Sequence, residues 1–216
     1  MEISSILHRL HDSVYIAQLL LAVWGIYAVF FVFRQLRRRR FSQESSRDAF
    51  LDTIRSQIEE GDFDGAGRLC DDPQHLYKAI PILAKTAIQK RHLPPAKLRQ
   101  TLAATFDREV RSVIENQRAI IATVAKGEPM LGLLGTVSGM IGAFGKIGSA
   151  EQVDPSALGA DISLALVATA IGLIVAFPMT VIQSVIEVRM RNLEDSTIEG
   201  LQIVLDDVET TTPVPS

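Results

Sequence analysis

Three stretches of this chain run almost without charge for about the length a helix needs to cross a bilayer, roughly 20 residues. They are Val14 to Phe33, Pro129 to Ile147 and Ala157 to Ile182. Gln18 is the one strongly polar side chain in the first, Lys146 lies near the end of the second, and Ile162 to Ile182 holds no charge at all. One such run reads equally well as a buried core helix. Three of them in 216 residues leave too little other chain to bury them. The first run is longer than the apolar core of a signal peptide, and arginines rather than a small-residue cleavage site follow it. The expected fold class is therefore all-α: a polytopic membrane protein with three transmembrane helices, two of them extended into a cytoplasmic helical region.

The charges flanking these runs give an orientation. Arg34 and Arg37 to Arg40 close the first run, and Arg189 and Arg191 follow the third. The segment "KIGSAEQVDPSALGAD" between the second and third sets Lys146 against Glu151, Asp154 and Asp161. Basic residues favour the cytoplasmic side, so the N-terminus is expected outside and the C-terminus inside. The division that follows is an external N-terminus at 1–13, spans at 14–34, 127–147 and 157–183, a cytoplasmic helical region at 35–126, an external loop at 148–156 and a cytoplasmic helix and tail at 184–216. A net charge of −3 gives no reason to expect nucleic acid as a partner. The single cysteine, Cys70, is followed by Asp71 and Asp72, which disfavour a thiolate, and is expected to be a small buried residue.

The polar region reads as helix. "DAFLDTIRSQIEE" places Phe50, Ile54 and Ile58 on one face, and Gly61 ends it. "DFDGAGRLC" begins like a calcium loop, but its twelfth position is Pro73 where a glutamate is needed. From Pro95 a long helix is expected, with Leu98, Leu102, Phe106, Val110, Val113, Gln117, Ile121 and Val124 at steps of three and four. Its stripe runs into the second span, with a kink expected at Pro129. In "AKGEPMLGLL", Lys126 and Glu128 are expected at the inner interface, where long side chains reach water. The four histidines, His8, His11, His75 and His92, do not sit at metal-ligand spacing, and no nucleophile stands beside a base. No metal, cofactor or enzymatic activity is expected.

The second span gives up side chain in "LGLLGTVSGM". On a helix, Gly132, Gly135, Gly139 and Gly142 fall within about 80° of one another. In lipid, close backbone approach is a main source of helix association, so this stripe is a docking face. The third span carries Asp161, Ala165, Ala168, Thr169, Gly172, Ala176 and Thr180 on one face, and Pro178 lies near its inner end. Each face thus has a threonine at membrane depth, Thr136 and Thr169. Taken singly, each is expected to bond its own helix. Taken as a pair, they can line a passage. No ionisable side chain lies at the middle of any span, and Asp161 is the nearest acid. A proton path through this membrane needs an ionisable group from another chain.

"LGLLGTVSGMIGAF" followed by "ALVATAIGLIVAFP" resembles the ExbB/TolQ family, with more distant similarity to MotA. The resemblance covers most of the chain. It implies a subunit of a proton-driven motor in a bacterial inner membrane, forming a homo-oligomer, a pentamer, around a pore lined by the second and third spans. It implies a dimer of a single-span ExbD- or TolR-like partner in that pore, whose aspartate takes up the proton. It carries the family's pore-lining threonines to Thr136 and Thr169. Many relatives have a glutamate five residues before the second threonine, where this chain has Leu164; Asp161, one turn further out, is the candidate outer acid. A MotA-like stator usually has four spans and a larger cytoplasmic loop. A non-conducting scaffold, whose glycine faces only assemble helices, is the alternative of a different class.

Overall fold

The computed structural model describes residues 2–41, 43–149 and 155–211, and every regular element in them is helical. Met1, Ser42, residues 150–154 with Glu151 and Asp154, and the tail from 212 lie outside the described residues, as do the side chains of His8 and His11. In chain order the helices are α1 (Glu2–Arg39), α2 (Glu44–Glu59), α3 (Phe63–Cys70), α4 (Ala79–Gln89), α5 (Pro95–Phe106), a π-helical turn at Asp107–Arg111, α6 (Ser112–Ser149) and α7 (Pro155–Thr211). The chain is all-α, and among the described residues three helical stretches are long and apolar enough to cross a membrane. They lie at Ser13–Arg39, within Pro95–Gly148 and within Leu158–Val208, with mean hydropathies of 2.3, 1.4 and 2.3. The fold divides into two compact units, one of residues 1–30 and 117–185, the other of 31–116 and 186–216.

The second unit is held together as a water-soluble bundle is. α2 buries Phe50, Leu51, Ile54 and Ile58, the face expected from its periodicity with Leu51 added. Gly61 takes φ of 79°, a left-handed conformation that glycine adopts without a steric penalty, and the chain turns there. Asp62 then caps α3: the backbone N–H of Gly65 donates to its Oδ1 at 2.8 Å, so the acid that mimics a calcium ligand is a helix cap. Phe41, Ile54, Ile58, Cys70, Ile80, Ala84 and Ile88 form one core with Val204 and Val208 of α7. Gly200 lets α7 approach, since a Cβ there would lie 2.9 Å from the Ile80 side chain.

The periodicity past Pro95 needs one correction. Leu98, Leu102, Phe106 and Val110 are buried, but the next buried position is Ile114 and not Val113. Steps of four drift around an α-helix of 3.6 residues per turn. The wider turn at Asp107–Arg111 takes up that drift, so a run of four-residue steps stays on one face. Pro129 and Pro178 both lie inside their helices, where each removes one backbone donor.

Cys70 is 3 % exposed, and burial, reinforced by Asp71, pushes its thiol up to about 12. It is the small buried residue expected. Iodoacetamide at neutral pH is expected to leave Cys70 unmodified in the folded protein and to alkylate it once the bundle is unfolded in denaturant. Rapid alkylation under native conditions, read by peptide mass, would contradict this packing.

Candidate functional site

The membrane-type unit is built on the close approach of α6 and α7. A Cβ at Gly132 would lie 2.8 Å from the Cα of Thr169 and 2.9 Å from the carbonyl oxygen of Ala168. At Gly135 it would lie 2.6 Å from the Ala168 Cβ, and at Gly139 2.6 Å from the Ala165 Cβ. Side chains do not come this close, so the three glycines set the helix spacing. Gly142 has nothing within 4 Å and takes no part in this contact. Ala165 and Ala168 are buried, as the partners of the glycines must be.

The two threonines differ. The Thr169 hydroxyl donates to the Gly132 carbonyl oxygen at 2.8 Å, across from α7 to α6. This bond is possible because the missing side chain at Gly132 exposes its backbone to the neighbour. The Thr136 hydroxyl donates to the Leu133 carbonyl at 2.7 Å, within its own helix. Ser138, buried, does the same with Gly135 at 3.0 Å. Each threonine oxygen keeps the capacity to accept a further hydrogen bond. At the start of α7, Asp161 accepts from Lys146 Nζ at 2.6 Å, so this candidate acid has a basic partner on α6. Leu164 is half exposed, and its carbonyl accepts from the Tyr15 hydroxyl of α1 at 2.7 Å.

α1 packs on the same pair. Gly25 brings it against Val124 and Met179, with a Cβ there 3.0 Å from the Val124 side chain. Gln18 is buried and donates from Nε2 to the Ala168 carbonyl at 2.9 Å, while its Oε1 has no hydrogen-bond partner. At Gly172 a Cβ would lie 2.5 Å from the Glu128 carbonyl oxygen and 3.2 Å from Gln18 Nε2. Gly172 is thus where all three helices meet. Glu128 corrects an expectation: its side chain does not reach an interface but is 0 % exposed, and neither carboxyl oxygen has a hydrogen-bond partner. The signal was in the sequence, since Glu128 stands four residues before Gly132 and so shares the docking stripe. Around this contact, Leu19, Leu20, Trp24 and Phe30 of α1, Met130, Leu133 and Phe144 of α6, and Leu166, Ile174 and Phe177 of α7 are exposed. An apolar surface this continuous fits lipid or neighbouring subunits. Among the described residues no group of histidine, cysteine or acidic side chains is placed to hold a metal ion.

This unit overlaps the segment shared with known proteins. The model of the MotA/TolQ/ExbB proton channel family matches residues 77–198, more than half of the chain, and the chain belongs to that family. That family is one of proton channels. The chain is 43 % identical over 83 residues to the biopolymer transport protein ExbB of Aquifex aeolicus, covering 38 % of this chain and 56 % of that protein. It is 36 % identical over 104 residues to the Tol-Pal system protein TolQ of Haemophilus influenzae, covering 47 % and 45 %. An ExbB-like protein of Helicobacter pylori is 37 % identical over 82 residues, covering 38 % and 55 %. The chain spans about half the length of these curated relatives.

The different bonds of the two threonines give a clear contrast. Thr169→Val removes an interhelical hydrogen bond and is expected to lower stability in detergent micelles by about 0.6 kcal/mol, and at most roughly 1.7 kcal/mol. Thr136→Val removes only a local bond and is expected to leave stability near that of the parent. Equal losses in unfolding measurements would show that the Thr169 bond does not join the helices.

Proposed function

We propose that this chain is the pore-forming subunit of a proton-driven motor in a bacterial inner membrane, working through a single-span partner of the ExbD or TolR kind. The observation that carries the reading is the contact of Gly132 with Thr169, inside the segment that matches the family. It makes α6 and α7 one paired element, and several copies of such a pair can surround a pore. The exposed apolar side chains support assembly as a homo-oligomer, for which a pentamer is the family-based choice. The proposed orientation places the N-terminus outside and the C-terminus in the cytoplasm, with Arg37 to Arg40 and Arg189 on the inside.

In this reading the partner's aspartate carries the proton, because Val14 to Phe33 and Ile162 to Ile182 contain no ionised group at neutral pH. Thr136 and Thr169 line its path and Asp161 stands at the outer end. The driven work is uptake of a nutrient or macromolecule, or envelope maintenance. An isolated carboxylate in a dry pore is costly. Hydroxyl groups and the water they order offset part of that cost, so the carboxyl can load outside and discharge inside. Gly132, Gly135, Gly139, Ala165, Gly172 and Pro178 serve packing.

Proton uptake into vesicles that hold this chain and an ExbD- or TolR-like partner tests the reading. Flux is expected with both chains and is expected to vanish when the partner's membrane aspartate becomes asparagine. Thr136→Val is expected to reduce it roughly 10- to 150-fold if a charged hydrogen bond of about 1.5–3 kcal/mol is lost from the limiting barrier. An assembled complex without flux would favour the scaffold reading instead. For the orientation, a membrane-impermeant thiol reagent on intact cells is expected to label a cysteine placed at Glu151 and spare one at Gln89, and the reverse pattern would contradict it.

A further inference from the structure

The proposed proton path uses no acid of this chain inside the membrane, yet the structure buries one. Glu128 lies where α1, α6 and α7 meet, is 0 % exposed, and has both carboxyl oxygens without a hydrogen-bond partner. An ionised carboxylate in such a place would face a desolvation penalty with nothing to offset it. A carboxylate buried for structural reasons is normally paired with a cation or held by backbone donors. The neighbours supply neither. On α1, Gln18 lies against Gly172 and Leu21 against the adjoining Gly127, and the titratable side chains of that span are the phenols of Tyr15 and Tyr27. On α7, Gly172 lies against the Glu128 backbone, with no titratable group from Ile162 to Ile182. On α6 itself the nearest cation, Lys126, is exposed, and Arg118 stands ten residues away.

Gln18 supplies a second, independent observation. It is 2 % exposed, its amide nitrogen is held by the Ala168 carbonyl, and its Oε1 is an acceptor with no donor. The Glu128 backbone and the Gln18 amide both lie against Gly172. The unpartnered oxygens of these two buried side chains are all acceptors if Glu128 is ionised. One proton on Glu128 converts it into a donor and removes the charge.

We propose that Glu128 is a proton-binding site carried by this chain, neutral in the resting protein and ionised only when water or a partner group reaches the α1–α6–α7 junction. The ligand is the proton: a single proton removes the charge that burial penalises and turns one of the unpartnered carboxyl oxygens into a donor. The site would give the motor a second, inner station for a proton released by the partner's aspartate. It rests on the membrane reading of the chain but not on the partner.

The test uses the full chain alone in lipid vesicles. Dicyclohexylcarbodiimide adds to protonated carboxyls in apolar surroundings and leaves a stable N-acylurea. Mass mapping is expected to find the adduct on Glu128 at neutral pH, with labelling falling about tenfold per pH unit once the medium is alkaline enough to ionise the site. Sodium chloride at concentrations matched in ionic strength by choline chloride is expected to give no protection. No adduct on Glu128 would overturn the proposal, and protection by sodium would overturn it in favour of a cation site. Infrared spectra supply a readout independent of the reagent: a carboxylic C=O band in the parent is expected to disappear in Glu128→Gln, and identical spectra would overturn the proposal. Neither readout needs the partner, so labelling without motor flux would refute the motor and leave the proton site, and flux without labelling would do the reverse.

Discussion

The contact of the Gly132 backbone with Thr169 is the constraint on which the membrane-type unit depends. Between helices in lipid, leucine side chains gain no hydrophobic energy by meeting, because the surrounding chains are equally apolar. Association then comes from close packing and from polar bonds that the surroundings cannot replace. Gly132, Gly135 and Gly139 supply the first by letting Ala165, Ala168 and Thr169 reach the backbone. Thr169 supplies the second, and only because the first has brought the Gly132 carbonyl within 2.8 Å. Gly172 repeats the device about one turn further along α7, where α6, α7 and the Gln18 amide of α1 converge.

The other unit follows a different physics. Phe50, Ile54, Ile58 and Ile88 are large side chains withdrawn from water, so burial itself stabilises their contacts. Its polar groups are tied in ways typical of water-facing helices, as with the Asp62 cap and the pair of Lys85 with Asp71 at 2.5 Å. The sequence changes character accordingly: bulky residues at the buried positions of α2, small residues at the buried positions of α6 past Pro129.

The large features were legible because they rest on length and period. Three nearly uncharged runs, the glycine stripe of α6 and the buried face of α2 all follow from counting along the chain. What escaped depended on which residues touch across helices. Thr136 and Thr169 look alike in sequence, and only the docking geometry sends one hydroxyl to its own helix and the other across. The length of the Glu128 side chain suggests that it reaches water at an interface, but it shares a helix face with Gly132, and that face buries it. The π turn at Asp107–Arg111 left a trace in the four-residue spacing from Leu98 to Val110, but that spacing also suits an ordinary helix for a turn or two. The exposure of Phe144 and Phe177 likewise depends on how the helices dock and not on their spacing along the chain.

The central claim is that α6 and α7 dock within one chain through small residues. Solid-state magnetic resonance on the protein in lipid bilayers, with carbon-13 in glycine and alanine, reads it without any substitution. A cross-peak between Gly135 and the Ala168 methyl group is expected, and its intensity per labelled chain is expected to stay constant when labelled protein is assembled with an excess of unlabelled protein. A cross-peak that fades in proportion to that dilution would place the contact between subunits and contradict the account.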